Sequence, residues 1–444
     1  MRRLGLILAG LLLVLLGAAI FVRAPDQAHF PPNPLGREVA QATRDLPQDA
    51  AHVWVDRPAL ARNIERVKTR VGQPYGIRWV AKSLPSIPLL QFVAETSGIR
   101  RFMVFQESMA LVILRQIPEA DLLFGKPIPA LLAEEVLRTQ PGAERQVHWL
   151  VDSIDRLREY ELLAQRTGRT LSIVLEVDVG LRRGGFRTPE DLASTFGVFL
   201  GARQERSDQG RLELRGLMGY DGHVPHASSL LGPGKDRAEA REFDQVLARF
   251  AGFAERVKGA FAPPVGGWIF DGGGSRTFWR YGGRTSAFNE LAVGSILLKP
   301  THFDSEEVAD FEPAAFLSIP VLKRVDQPFP FVESLGPLWG AVRRLNPNVQ
   351  QGFYLYGSVW GGEILYPQGL REAWFHAPGI QNLLPNQQLL MGSADVLFPE
   401  GRRVIVRPPE GDTLVALDRW WASPFGSGKR QSGRTLWAPL PHRN

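Results

Sequence analysis

The sequence predicts an α/β protein: a closed (β/α)8 barrel of the TIM type, then a C-terminal mostly-β domain, with a hydrophobic helix at the N-terminus. Three observations carry this prediction. From about residue 51, short apolar strands alternate with amphipathic helices, and the strand count comes out near eight. After about residue 305 helical periodicity nearly disappears, and short strand-like runs between Gly/Pro turns replace it. Leu4 to Val22 is a run of nineteen residues without a charge. An open doubly wound sheet is the alternative to the barrel. The expected limits are 1–23 for the hydrophobic segment, 24–48 for a linker, 49–305 for the barrel and 306–444 for the β domain.

Arg2 and Arg3 precede the apolar run, which exceeds the ~7–15 residues of a signal-peptide core. Ala18-Ala19-Ile20 is a poor cleavage site, and Arg23 follows directly. These features favour an uncleaved membrane anchor over secretion after signal cleavage. The paired arginines place the N-terminus in the cytoplasm and the body on the far, periplasmic side. Pro25, Pro31, Pro32 and Pro34 mark the linker.

His52 to Val55 reads as the first strand. Asp56 can cap the next helix and Pro58 fits its first turn; Leu60, Ile64, Val67 and Val71 recur at helical spacing. Strand Ile77–Ala81 ends at Lys82. Then follow helix Ile87–Thr96, strand Arg101–Phe105, helix Glu107–Gln116, strand Asp121–Phe124, helix Ala130–Thr139 and strand Val147–Val151. Helix Ile154–Thr167, strand Leu171–Val177, helix Pro189–Leu200, strand Leu212–Met218, helix Arg237–Val257, strand Trp268–Phe270 and a last strand near Glu290–Leu298 complete the series. Beyond it, Phe316–Leu322, Phe353–Val359 and Val404–Val406 are the β-domain runs.

Composition narrows the function. A net charge of +6 is modest for 444 residues, and the short basic tail at Lys429, Arg430 and Arg434 is no stripe for nucleic acid. The absence of cysteine excludes disulfides, thiolate metal ligands and cysteine nucleophiles.

The chemistry is expected where the barrel strands end. Lys82 closes an apolar strand, where a desolvated amine becomes a usable nucleophile for a carbonyl. Four further stretches fall at strand ends. Glu176 to Gly185 packs acid, base and glycines together. Gly219 to His223 offers Tyr220 and His223 as donors or proton carriers. Phe270 to Thr277 exposes a glycine run, Gly272-Gly273-Gly274, with Ser275 beside it, a pattern that holds anions; Glu290 to Ser295 would complete that cup. The Gly-Lys-Ser/Thr ending of a P-loop is missing.

In order, these stretches resemble fold-type III pyridoxal phosphate (PLP) enzymes, specifically the D-threonine aldolase and D-serine dehydratase-like group related to alanine racemase. The likeness covers roughly residues 50–440. It rests on Asp56-Arg57-Pro58-Ala59-Leu60 with Asn63, the lysine strand, Asp152-Ser153, Glu176-x-Asp178-x-Gly180-x-x-Arg183, and Asn289-Glu290-Leu291 with Gly294-Ser295. The resemblance implies that Lys82 carries PLP as a Schiff base. Arg183 would lie near the ring oxygen, with Tyr220 and His223 beside the cofactor. Gly273, Gly274, Ser275, Gly294, Ser295 and the Ile296 backbone would hold the phosphate.

In the relatives a metal holds the substrate's β-oxygen through a histidine-bearing segment. Here the matching stretch is Arg407-Pro408-Pro409-Glu410-Gly411-Asp412, so Glu410 and Asp412 would be the ligands. Two carboxylates suit Mg2+ or Mn2+ better than zinc. A second departure is Asn386-Gln387-Gln388, where relatives often carry Glu-His. The resemblance thus implies a lyase acting on a D-β-hydroxy amino acid, commonly as a homodimer. A racemase is the alternative and needs a second base, for which Tyr354, Tyr356 and Tyr366 are available. A non-catalytic PLP-binding protein is the third reading.

Overall fold

The computed structural model describes residues 24–48, 50–84, 86–201, 211–227, 234–326, 340, 343–357, 360–373, 388–399, 401–411, 420–422 and 431–433. The hydrophobic segment 1–23, Asp412, Asn386, Gln387 and the basic tail lie outside them. Among the described residues no helix is long and apolar enough to cross a membrane. The chain divides into two units, one built mainly from residues 56–314 and the other from residues up to 55 together with 315–409.

The first unit is a closed barrel of eight parallel strands. They are β2 (Gly76–Val80), β3 (Arg101–Val104), β4 (Asp121–Phe124), β5 (Val147–Val151), β6 (Leu171–Glu176), β7 (Leu212–Gly219), β8 (Ile269–Gly272) and β9 (Glu290–Val293). Register is continuous round the ring and closes where Gly76 to Trp79 pair with Glu290 to Val293. Helices start where short polar side chains can accept a leading N–H. Asp56 accepts from Ala59 at 3.0 Å ahead of α2 (Arg57–Val71), and Ser86, Ser153 and Thr188 cap later helices in the same way.

Charge closes the N-terminal end of the barrel. Arg78 is fully buried; it ion-pairs with Glu290 and reaches Asp121 Oδ1 at 2.6 Å. Arg101 binds the second Glu290 oxygen at 2.9 Å. His148 contacts Ser172 Oγ through Nδ1 at 2.6 Å and Asp121 through Nε2 at 3.2 Å. Buried charges of this kind persist only when paired.

The second unit is a largely antiparallel sheet around β10 (Ala315–Asp326). One half of β10 pairs with β1 (His52–Val55) and β15 (Arg403–Arg407), the other with β11 (Gln351–Leu355). β12 (Glu363–Tyr366) lies on β15, and β14 (Leu389–Gly392) joins β11 to β13 (Arg371–Glu372). Arg403 is buried and donates to the carbonyls of Pro47, Ala50 and Ser318 at 2.9, 3.0 and 2.6 Å.

Four expectations change. His52–Val55 is not a barrel strand: it pairs with Ala315–Ser318, because an uninterrupted apolar run also suits the middle of an antiparallel sheet. Residues 24–48 are not an open linker. Asn33 caps α1 (Pro34–Thr43), whose Val39 and Ala40 pack with Trp54, Phe316, Leu365, Tyr366 and Ile405. The last barrel strand stops at Val293, where Gly294 begins a 3-10 turn at Ser295–Leu297. The expected helix Pro189–Leu200 is two short ones, Pro189–Ala193 and Phe196–Gly201.

Candidate active site

The C-terminal rim of the barrel holds a cavity of about 530 Å³. β2 delivers Lys82 to it. Strand pairing ends at Val80, and Ala81–Ser83 turn as a single 3-10 step, so Lys82 and Ser83 both line the cavity. The Lys82 ammonium lies 5.1 Å from the Phe105 ring centre, a cation–π contact at the end of β3.

Beside the lysine is a cup of hydroxyls and glycine backbone. Ser83 Oγ and Ser295 Oγ are 2.8 Å apart, and the Gly294 N–H donates to Ser275 Oγ at 3.0 Å. No side chain caps the start of the Ser295–Leu297 turn, whose own bonds begin with Leu297 N–H to the Gly294 carbonyl at 2.9 Å. Space favours glycine: a Cβ on Gly294 would lie 2.7 Å from Val80 Cβ, and one on Gly274 would fit only tightly, 3.2 Å from the Tyr220 ring. Gly273 also needs its left-handed φ of +71°. Gly273, Gly274, Ser275 and Ser295 line the cavity, while Ile296 is buried behind it. Ser83 was missed in the sequence, since a serine after a lysine carries no signal of its own.

Arg183 and Tyr220 form the opposite wall. Glu176, buried at the end of β6, accepts from Arg183 at 2.8 Å and aims the guanidinium 5.0 Å over the Tyr220 ring. Burial raises the Tyr220 hydroxyl above its ordinary range, and Asp221 adds to this. His223 is not in this wall. Its Nε2 meets Glu242 at 3.1 Å and its ring faces a separate groove; His226, one helical turn on, lines the cavity instead. The correction is rotational: the chain turns at Asp221–His226, so residues three apart exchange places.

Two buried acids in the cavity were also missed. Asp221 accepts from Thr277 Oγ1 and Tyr281 OH, each at 2.9 Å, and burial pushes its carboxyl up to about 6. Asp271, on β8, is raised well above the usual carboxylate range by burial, reinforced by Glu290. An aspartate beside a glycine run reads as a turn residue, which hid both.

Glu410 reaches the cavity, as expected, but with organic partners. Its Oε1 lies 3.2 Å from Arg276 and 2.9 Å from His302 Nδ1. Arg276 stacks over Phe303 at 5.2 Å. Glu410 and His302 are the two candidate metal ligands at this place among the described residues; Asp412, the other expected ligand, lies outside them. Among the described residues, a cluster of three possible ligands occurs only at Asp26, His29 and Asp395, in the sheet unit. The racemase alternative's Tyr366 is a core residue of that sheet unit.

A lysine on a barrel rim, facing an anion cup and an arginine–tyrosine wall, defines a site for an anionic carbonyl cofactor. The residues fit PLP: an amine for the aldehyde, hydroxyls and glycine N–H groups for the phosphate, and a ring-sized space between. The model of the alanine racemase N-terminal domain matches residues 55–301, and the chain belongs to that family, a family of fold-type III PLP enzymes that includes aldolases, dehydratases and racemases. No curated protein matches the sequence. Among solved structures, the chain is similar to D-threonine aldolase from Filomicrobium marinum (16% identity, TM-score 0.62, 87% of this chain and 94% of that one). It is also similar to D-threo-3-hydroxyaspartate dehydratase from Delftia sp. HT23 (16%, 0.58, 92% and 99%). Alanine racemase from Bacillus anthracis with bound L-Ala-P is a third (16%, 0.59, 87% and 97%). At this identity the three show the shared fold.

Proposed function

We propose that the protein is a PLP-dependent lyase acting on a D-β-hydroxy amino acid, as an aldolase or a dehydratase. The observation that carries it is the convergence of Lys82, the Ser83/Ser275/Ser295 cup and the Glu410 carboxylate on one cavity. PLP, when bound, supplies an electrophilic carbonyl and a sink for the electrons released at the substrate's α-carbon. Ser83, Ser275, Ser295 and the backbone around Gly274 and Gly294 would hold its phosphate. Lys82 supplies the nucleophilic amine and afterwards holds or returns a proton at Nζ. Arg183, fixed by Glu176 beside Tyr220, would offer its guanidinium to an anionic oxygen of the cofactor.

Glu410 is the carboxylate suited to take the proton of the substrate's β-hydroxyl. Arg276 and His302 hold it in place through its Oε1, at 3.2 and 2.9 Å. No step here uses a metal. The racemase alternative would need an acid–base group facing Lys82 from across the ring, and the lining residues offer His226 and Tyr220.

The test is product analysis on paired D- and L-β-hydroxy amino acids with purified, PLP-loaded protein. Aldehyde plus glycine, or keto acid plus ammonia, from the D-form only would support the lyase. Loss of optical rotation without product would establish the racemase in its place. We propose too that residues 1–23 anchor the protein with its body outside the cytoplasm, and that it works as a homodimer. Membrane fractionation with and without residues 1–23, and light scattering of the purified protein, test these two points.

A further inference from the structure

A second groove, of about 910 Å³, opens on the barrel rim beside the Lys82 cavity. Four arginines line it: Arg182 and Arg187 from the loop after β6, and Arg241 and Arg249 from the helix Lys235–Ala260. Of these, Arg249 is committed. It donates to the Val179 carbonyl and to Gln245, each at 2.9 Å, and meets Glu242 at 3.4 Å. Arg182, Arg187 and Arg241 are exposed, and their guanidinium groups have no partner among the described residues. The two acids of the groove are engaged already. Asp178 Oδ1 accepts the N–H groups of Gly180 and Arg182 at 2.9 and 3.0 Å, and Glu242 Oε1 holds His223 as well as Arg249. His223 Nδ1 is sealed from solvent without a hydrogen-bond partner.

We propose that this groove is a second ligand site, for a small anion that carries two or more negative charges on phosphate or carboxylate groups. The loop after β6 is shaped to furnish it. The Asp178 N–H donates to the Phe186 carbonyl at 2.8 Å and the Phe186 N–H to the Glu176 carbonyl at 2.9 Å, so the loop is pinned at both ends. Within it Arg182 has a φ of +56°, a left-handed conformation uncommon outside glycine. Consecutive residues thereby serve two sites: Arg182 lines the groove and Arg183 the Lys82 cavity. His226 lines both, so the groove adjoins the cavity. Three uncompensated guanidinium groups round one concave space repel each other, and the concavity focuses their field on an incoming anion. Each planar guanidinium matches a phosphate or carboxylate with two parallel hydrogen bonds. The volume lies in the range of small-molecule sites. None of this draws on the PLP reading.

The test is calorimetric titration of the full chain with inorganic pyrophosphate, with and without PLP. Arg241→Gln should weaken binding about 10- to 100-fold, the range of a charged hydrogen bond, and Arg182→Gln/Arg187→Gln/Arg241→Gln should abolish it. Ser295→Ala, titrated without PLP, should leave it in place, which separates the groove from the serine cup. Because the three arginines hold no other part of the described fold, the triple variant should melt no lower than the wild type. A preference for O-phospho-D-serine over its L-form in PLP-loaded protein would show that the anion arrives on the amino acid substrate; equal binding of the two would assign a separate anion. No heat from the wild type, or unchanged affinity in the triple variant, would overturn the proposal. So would a triple variant that alters only the oligomeric state seen by light scattering, since the arginines would then belong to a contact between copies. Arginine-dependent pyrophosphate binding by a protein that takes up no PLP would sink the PLP reading alone.

Discussion

Ser83 and Ser295 bring their hydroxyl oxygens to 2.8 Å across the seam where the barrel closes, one from the turn after β2 and the other from the turn after β9. The residue next to the reactive lysine is thereby part of the anion cup. Cofactor phosphate and cofactor aldehyde would be gripped by adjacent residues of one turn, so Lys82 and the phosphate cannot drift apart without opening the barrel seam.

Replacing Lys82 with alanine should abolish the visible absorption band of the PLP-loaded protein and its sensitivity to borohydride. Turnover should fall by about 100- to 10,000-fold, the range for losing a positioned proton-transfer group. Absorption spectra before and after reduction, recorded beside the wild type, check this.

Ser295→Ala removes one hydroxyl from the cup and strands Ser83. Each bond to a charged phosphate is worth about 1.5–3 kcal/mol. PLP affinity should drop about 10- to 100-fold with the lysine still reactive, so excess cofactor restores the band. Titration by fluorescence quenching gives the dissociation constant.

Asp221 makes stability depend on pH. Its carboxyl moves from 3.8 to about 6 on folding, with burial as the main cause. A raised acid contributes stability that is complete below its unfolded value and lost as pH climbs through its folded value. The loss amounts to roughly 3 kcal/mol between pH 4 and 7. Thermal melts of cofactor-free protein across that range should fall more steeply for wild type than for Asp221→Asn.

Arg78→Met leaves Glu290 and Asp121 short of their buried counter-charge at the base of the barrel. Breaking one side of such a network costs about 3–5 kcal/mol. Urea unfolding should show it, and adding Glu290→Gln should recover part of the loss, because the stranded charge goes with it.

The barrel was legible because its strands are short apolar runs spaced by helices with visible caps at Asp56, Ser86 and Ser153. Lys82, Arg183, Tyr220, Ser275 and Ser295 stood out because they close strands or stand beside glycines, Glu410 only through the family resemblance, and all six line one cavity. What escaped was whatever depends on rotation or on distant pairing. His223 and His226 differ by three residues in a turn, and sequence does not say which faces inward. Asp271 looks like any aspartate before a glycine, and only the missing hydrogen bonds set it apart. His52–Val55 has the composition of a barrel strand, and its true partner lies more than 250 residues away.

That last pairing bears on how the protein is made. During synthesis α1 and β1 emerge first, carrying Val39, Ala40 and Trp54, whose packing partners Phe316, Leu365, Tyr366 and Ile405 come only after the whole barrel has been translated. Apart from the closing β2–β9 pair, the barrel strands find their neighbours within a few tens of residues, whereas the opening segment must wait as an uncovered apolar surface. Chaperone dependence and aggregation of nascent chains should therefore track residues 34–55, and chains that stall before residue 315 are the species a quality-control system would meet.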